Sequence, residues 1–151
     1  MIAVTAPMKA YVVPSHVRCY PLDDPAPALR VLDRPLGDLQ RAVLAARGLT
    51  VVPVADRAAI RDDAPHLVLA DNLWLTDEAL AHFLTAATRA GGSQRAHAAP
   101  GLFATRVLWH VTPDEAGRKP LPLWLIDPRR PEVQTLALTL DEEVFDVRMP
   151  A

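Results

Sequence analysis

The sequence predicts an α/β domain with a mostly parallel sheet flanked by helices, followed by a strand-rich second half. Strand and helix patterns alternate over the first 92 residues, and β-like runs follow one another after residue 100. The first strand patterns are short and apolar on both faces, which is typical of parallel strands covered on both sides. At 151 residues the chain has the size of one ordinary domain, so we expect a single domain over 1–151.

The first strand is predicted over Lys9–Val13, a β-rich run stopped by Pro14. The stretch 15–35 is rich in proline and shows no sustained period, so it should form a long ordered loop. Apolar residues then fall at helical spacing, and Gly48 stands where a C-terminal cap is expected. These features predict a helix over 36–47.

Two further strands and a second helix complete the alternating half. The apolar runs 50–54 and His66–Ala70 predict the second and third strands. Thr76 is a good N-cap residue followed by two acidic residues, which favours a helix over 77–89. We expect the three strands to run parallel, with both helices packed against the sheet.

The second half begins with a polar segment, 92–100, and continues as β-like runs joined by Pro, Gly and Asp turns. These runs are 102–111, 121–126, 133–140 and 144–149. Hydrophobic residues make up 50% of the chain, and two of its three tryptophans fall in this half. The half is therefore expected to offer an apolar surface to another subunit or to an attached domain.

Composition excludes several classes of function. A formal net charge of −2, with both signs interspersed, leaves no electrostatic footprint for nucleic acid. The lone Cys19 cannot form an internal disulfide, and no Cys or His cluster has zinc spacing. The N-terminus lacks the pattern of a signal peptide or a membrane span. We expect a cytoplasmic protein.

Three segments of the first half carry a resemblance to a known family. They are 14–18 (PSHVR) after the first strand, 28–36 (ALRVLDRPL) before a helix, and 67–80 (LVLADNLWLTDEAL). In this order they resemble the sugar-phosphate nucleotidyltransferases, also called NDP-sugar pyrophosphorylases. That family has a Gly-x-Gly-Thr-Arg loop, then Gly-Lys-Pro-Leu ahead of a helix, then a strand ending in Gly-Asp. The resemblance implies a Rossmann-like sheet and the joining of a sugar phosphate to a nucleotide.

The resemblance also implies roles for four residues. Asp71 would hold Mg²⁺ against the phosphates, with Asp127 as the candidate for the second metal-holding aspartate. Arg18 would stabilise the transferred charge as a catalytic residue, and Arg18 and Arg30 would contact the phosphates of the nucleotide. Asp71 also falls at the carboxyl end of a strand, where ligands of such sheets bind. The alternative is that both aspartates open ordinary loops or turns and that both arginines are surface residues.

The departures from the family pattern favour a lost activity. Pro14 and His16 replace both loop glycines, and the expected lysine falls near Ala26. Backbone amides cradle phosphate only where side chains do not obstruct them. The sequence thus predicts a pseudoenzyme that serves as a structural, oligomerising or regulatory module, with no cofactor unless Mg²⁺ binds. The alternatives are a Mg²⁺-dependent enzyme making a nucleotide sugar, and a binding module for a nucleotide or sugar phosphate.

The chain is shorter than the family's catalytic domain. A further expectation is therefore that the chain is the N-terminal part of a larger protein.

Overall fold

The computed structural model describes residues 7–16, 18–19, 24–28, 30–31, 34–73, 75–99 and 112–138. In chain order the elements are β1 (Lys9–Val13), β2 (Arg18–Cys19), β3 (Asp24–Pro25), β4 (Arg30–Val31), β5 (Arg34–Pro35), α1 (Leu36–Ala46), β6 (Thr50–Pro53), β7 (His66–Ala70), α2 (Asp77–Ala90), β8 (Ser93–Ala98), β9 (Lys119–Ile126) and β10 (Val133–Leu138). Short 3₁₀ turns lie at Ala26–Ala28 and Arg57–Ala59.

In the described residues the six longer strands form one sheet with the order β10-β8-β9-β7-β1-β6. The strand β1 pairs in parallel with β6 on one side and with β7 on the other, as the sequence predicts. The strands β8 and β10 are also parallel, and β9 runs antiparallel between β7 and β8. The predicted α/β class with a mostly parallel, Rossmann-like sheet is therefore confirmed.

Both helices end close to their predicted bounds, for local reasons. The Thr76 hydroxyl accepts a hydrogen bond from the Ala79 amide at 3.1 Å and so caps the first turn of α2. Gly91 ends α2 with a φ of 76°, a conformation that glycine adopts at little cost. The helix α1 begins directly after Pro35 without a side-chain cap, and its buried residues hold it against the rest of the fold.

The hydrophobic core lies on one face of the sheet. Alternate residues of the central strands point into it, and these include Leu67, Leu69, Leu123 and Leu125. Leu44 of α1 and Leu80 and Phe83 of α2 join the same cluster. Both helices thus cover this face, and the crossover from β6 to β7 carries a 3₁₀ turn in place of a helix.

A close approach explains the glycine in the first turn of α1. A Cβ atom on Gly37 would lie 3.3 Å from the Cβ of Pro27 and 3.4 Å from its carbonyl oxygen. The absence of a side chain lets the turn Ala26–Ala28 pack directly on the helix, although glycine lowers helix propensity. The loop before α1 is therefore anchored to it.

The expectation of a polar connecting segment over 92–100 was wrong, because strand β8 occupies Ser93–Ala98. Three of its polar residues, Ser93, Gln94 and His97, are buried rather than solvated. The Ser93 hydroxyl donates to the Arg130 carbonyl at 2.7 Å, and the Gln94 amide donates to the Gly91 carbonyl at 2.7 Å. The loop predicted over 15–35 contains the short pairs β2–β3 and β4–β5. The predicted runs 102–111 and 144–149 lie outside the described residues.

Two surface properties complete the fold. No helix in the described part of the chain is long and apolar enough to cross a membrane. Val133 of β10 is the one large hydrophobic residue that the described ranges expose, at 42%. The expected association with another subunit or domain stays a proposal.

Candidate functional site

The candidate site lies where β1 and β7 end side by side. These neighbours are parallel, and their register pairs Val13 with Ala70. The Asp71 amide continues the ladder by donating to the Val13 carbonyl at 3.0 Å. The loop after β1 and the loop after β7 therefore meet at the carboxyl edge of the sheet, the edge at which ligands of such sheets bind.

Asp71 uses its carboxylate to hold the loop after β1. Its Oδ1 accepts hydrogen bonds from the Ser15 backbone amide at 2.9 Å and from the Ser15 hydroxyl at 2.6 Å. We call this pair of contacts the Ser15–Asp71 clamp. Asp71 is half-buried, and hydrogen bonds to an ionised carboxylate are stronger than those between neutral groups. The clamp accordingly fixes the position of one loop relative to the other.

The loop after β1 keeps a glycine-like backbone without a glycine. His16, where the resemblance leads us to expect a glycine, has a φ of 60°, within the left-handed region. Histidine tolerates this region only at a cost, whereas glycine enters it freely. The backbone at this position thus has the handedness that a glycine adopts freely, although a side chain is present.

Glycine at position 16 should therefore stabilise the protein. We expect His16→Gly to raise the free energy of unfolding by about 0.5–1 kcal/mol, because relief of the left-handed conformation outweighs the added freedom of the unfolded chain. Urea denaturation of both proteins measures the difference. His16→Val provides the opposing variant, since a β-branched residue fits this φ poorly and should destabilise the fold. Equal stability of all three proteins would contradict the strained backbone.

Two buried amides lie beneath the site. Gln40 of α1 is 3% exposed, and its Nε2 donates to the carbonyls of Ala70 at 2.9 Å and Leu73 at 2.7 Å. Asn72, next to Asp71, is 8% exposed, and its buried Oδ1 has no donor in the described residues. Sequence reasoning missed both residues. A polar residue at a core-facing position of α1 was the available signal for Gln40.

The structure places the two candidate arginines on short strands ahead of α1. Arg18 pairs with Pro25 in the β2–β3 ribbon, and Arg30 pairs with Pro35 in the β4–β5 ribbon. These pairings locate the backbone of each residue. The catalytic role of Arg18 and the phosphate contacts of both arginines stay predictions.

Asp127 lies at the other end of the sheet. It follows Ile126, which pairs with His66 at the start of β7, whereas Asp71 follows the end of β7. The five residues of β7 lie between the two aspartates, which are therefore about 20 Å apart along the strand. The reason is that β9 runs antiparallel to β7, so its carboxyl end falls on the opposite edge.

The contacts of Asp127 are those of a turn. Its amide donates to the Ser93 hydroxyl at 2.9 Å, and its Oδ1 accepts from the Arg129 amide at 3.0 Å. The Arg130 amide donates to its carbonyl at 2.9 Å. Asp127 therefore opens the turn after β9, the alternative that the sequence left open.

These positions test whether the predicted aspartates fit Mg²⁺. The ion takes about six oxygen ligands in a nearly octahedral arrangement and usually combines one or two carboxylates with substrate phosphates. Here Asp71 and Asp127 cannot share an ion, and the Oδ1 of Asp71 already accepts two hydrogen bonds. In the described ranges, no group of three or more His, Cys, Asp and Glu side chains is placed to hold a metal ion. The residues present do not fit the two-aspartate Mg²⁺ site.

Comparison with known proteins gives a structural likeness. No protein-family profile matches the sequence, and no curated protein matches it. Among solved structures, the chain is similar to a protein of Bacillus anthracis described as a glucose-1-phosphate thymidylyltransferase and solved in complex with sucrose. The TM-score is 0.52 with 10% sequence identity, and the match covers 87% of each chain. This likeness shows that the chain shares the fold of that protein.

Proposed function

We propose that this chain is a non-catalytic nucleotidyltransferase-like domain, which serves as a structural or regulatory module for another subunit or an attached domain. The observation that carries the proposal is the Ser15–Asp71 clamp. Asp71 is the residue that the resemblance assigns to Mg²⁺. Its Oδ1 instead accepts two hydrogen bonds from the loop after β1. A residue in this position contributes to the fold whether or not a substrate is present.

Competition between the clamp and a metal ion supports the same conclusion. An ion bound to Oδ1 would have to displace or crowd the two Ser15 donors at 2.6 and 2.9 Å. Mg²⁺ gives up its water ligands reluctantly, so a single carboxylate that is already hydrogen-bonded holds it weakly. Asp127 adds nothing at this edge, because it lies beyond the other end of β7.

The loop itself offers few donors to a phosphate. Pro14 has no backbone N–H, and the Ser15 N–H is directed to Asp71. Phosphate loops depend on several amides that point together at the ligand. With two consecutive positions unable to contribute, the charge of a triphosphate would lack the preorganised donors that phosphoryl chemistry requires.

Turnover is the direct test of this proposal. Purified protein is incubated with Mg²⁺, a panel of nucleoside triphosphates and hexose 1-phosphates, and pyrophosphate release is measured. We expect release no greater than that of an Asp71→Ala control. Removal of one charge-stabilising group commonly costs about a hundredfold or more in rate, and three family positions differ here at once.

A folded control makes a negative result informative. His16→Gly restores the second family glycine and should fold at least as well as the natural chain. We expect it to be inactive too, because Pro14 and the clamp remain. Release by the natural chain well above the Asp71→Ala background would overturn the proposal and favour the Mg²⁺-dependent nucleotidyltransferase.

A further inference from the structure

A cluster of two cations on one aromatic ring lies on the sheet face opposite the helices. The guanidinium carbons of Arg57 and Arg95 lie 4.4 and 4.6 Å from the ring centroid of Trp124. Arg95 of β8 is the cross-strand partner of Trp124 in β9, and Arg57 comes from the 3₁₀ turn of the β6–β7 crossover. We call these three residues the Arg–Trp–Arg cluster.

The cluster has a carboxylate nearby, that of Asp62, which lines a surface cavity together with Arg57. The Nε of Arg95 donates to the Leu121 carbonyl at 3.0 Å, a neutral acceptor. Among the described residues, no carboxylate forms an ion pair with Arg57 or Arg95. Burial lowers the pKa of Arg95, and the neighbouring charge of Arg57 lowers it further. An anion in contact with either guanidinium group would reduce the repulsion between the two charges.

A cavity of about 370 Å³ opens beside the cluster. Arg57 is part of the cluster and also lines the cavity. Val68 of the cavity wall is the cross-strand partner of Trp124. The volume falls in the range of small-molecule sites. The cavity walls are mainly apolar and include Ile60, Ile126, Pro128 and Pro131.

The other polar groups of the cavity are already engaged. Asp62 accepts hydrogen bonds from the Tyr11 hydroxyl at 2.9 Å and from the Ala64 amide at 2.9 Å. The Nδ1 of His66 lies 2.8 Å from the Ala64 carbonyl. Arg57 is therefore the cavity residue best placed to receive an external anion.

We propose that the Arg–Trp–Arg cluster binds the phosphate group of a small organic phosphate monoester, whose apolar or ring-shaped body occupies the adjacent cavity. Two cations match the charge of a phosphate monoester, which approaches −2 near neutral pH, better than the single charge of a carboxylate. The site lies on a sheet face near the start of β7, away from the Ser15–Asp71 clamp at its end. The inference therefore goes beyond the proposed function and does not depend on it.

Calorimetric titration with three probes tests the ligand chemistry. Phenyl phosphate supplies a phosphate and an apolar body, inorganic phosphate supplies the charge alone, and benzoate supplies the body with a carboxylate. We expect saturable binding of phenyl phosphate, weaker binding of inorganic phosphate and the weakest binding of benzoate. Benzoate bound as tightly as phenyl phosphate, or no saturable binding of phenyl phosphate, would overturn the proposal.

A pair of charge-matched variants tests the location. Arg57→Gln removes an exposed cation of the cluster, and Arg89→Gln removes an exposed cation of α2, which covers the other face. We expect Arg57→Gln to weaken phenyl phosphate binding at least about tenfold, the usual effect of losing a charged hydrogen bond. Arg89→Gln should bind like the natural chain. Equal weakening by both variants would show unspecific attraction, and no weakening by Arg57→Gln would place the ligand elsewhere; either result overturns the proposed site. Circular dichroism confirms that each variant is folded.

Discussion

Replacing Gln40 with alanine should lower the free energy of unfolding by about 2–4 kcal/mol, because buried groups left without hydrogen-bond partners cost more than the bond itself contributes. The Nε2 of Gln40 joins α1 to the end of β7 through the carbonyls of Ala70 and Leu73. Leu73 is fully buried, so water cannot take the place of the lost donor. Urea denaturation with a two-state fit measures the loss.

The neighbouring position supplies the control for this prediction. Arg41 is exposed and contacts Asp38 one turn earlier in α1. Exposed ion pairs contribute little, so Arg41→Ala should change the free energy of unfolding by about 0.5 kcal/mol or less. If Gln40→Ala were as mild as Arg41→Ala, the buried amide would not be what joins the helix to the strand.

Replacing Asp71 with alanine should lower the free energy of unfolding by about 2–3 kcal/mol, since two hydrogen bonds to a half-buried charged group are lost. Both bonds come from Ser15, the amide at 2.9 Å and the hydroxyl at 2.6 Å. The loop after β1 would then lose its link to the loop after β7. Urea denaturation gives the size of the effect.

Asparagine at position 71 separates hydrogen bonding from charge. Its side-chain oxygen can accept both bonds from Ser15, so Asp71→Asn should retain most of the stability that Asp71→Ala loses. Ser15→Ala removes the hydroxyl alone and should cost less than Asp71→Ala. Equal losses for Asp71→Asn and Asp71→Ala would contradict the clamp, because the acceptor would then not matter.

The alternating half of the fold could be predicted from sequence because its signals are local. The bounds of β1 and β7 match their apolar runs, and α2 begins at its Thr76 cap. The strand β8 escaped prediction because Ser93, Gln94 and His97 read as solvated residues although they are buried. Ser93 bonds to Asp127 and Arg130 in a turn distant in sequence, a pairing that no local pattern reveals.

The sequence allowed the position of Asp71 to be predicted, but not the arrangement of the other candidate residues around it. Asp71 was located correctly at the carboxyl end of β7, because strand ends follow from apolar runs. Asp127 also ends a strand, yet the antiparallel direction of β9 carries it to the other edge. Strand direction depends on long-range pairing, so spacing along the chain could not reveal it. For the same reason, the contact of Arg57 and Arg95 with Trp124 could not be predicted, because the three residues come from three separate elements.

The proposed function requires that Asp71 stabilises the loop after β1 and does not hold a catalytic metal ion. The most direct measurement is the urea midpoint of the natural chain and of Asp71→Asn, each with and without Mg²⁺ plus a nucleoside triphosphate. A ligand that binds only the folded state raises stability by about 2.7 kcal/mol at a hundred times its dissociation constant, so metal binding at Asp71 would be visible. We predict that Mg²⁺ with nucleotide shifts the two midpoints equally or not at all. A rise in the natural chain that Asp71→Asn abolishes would contradict the claim.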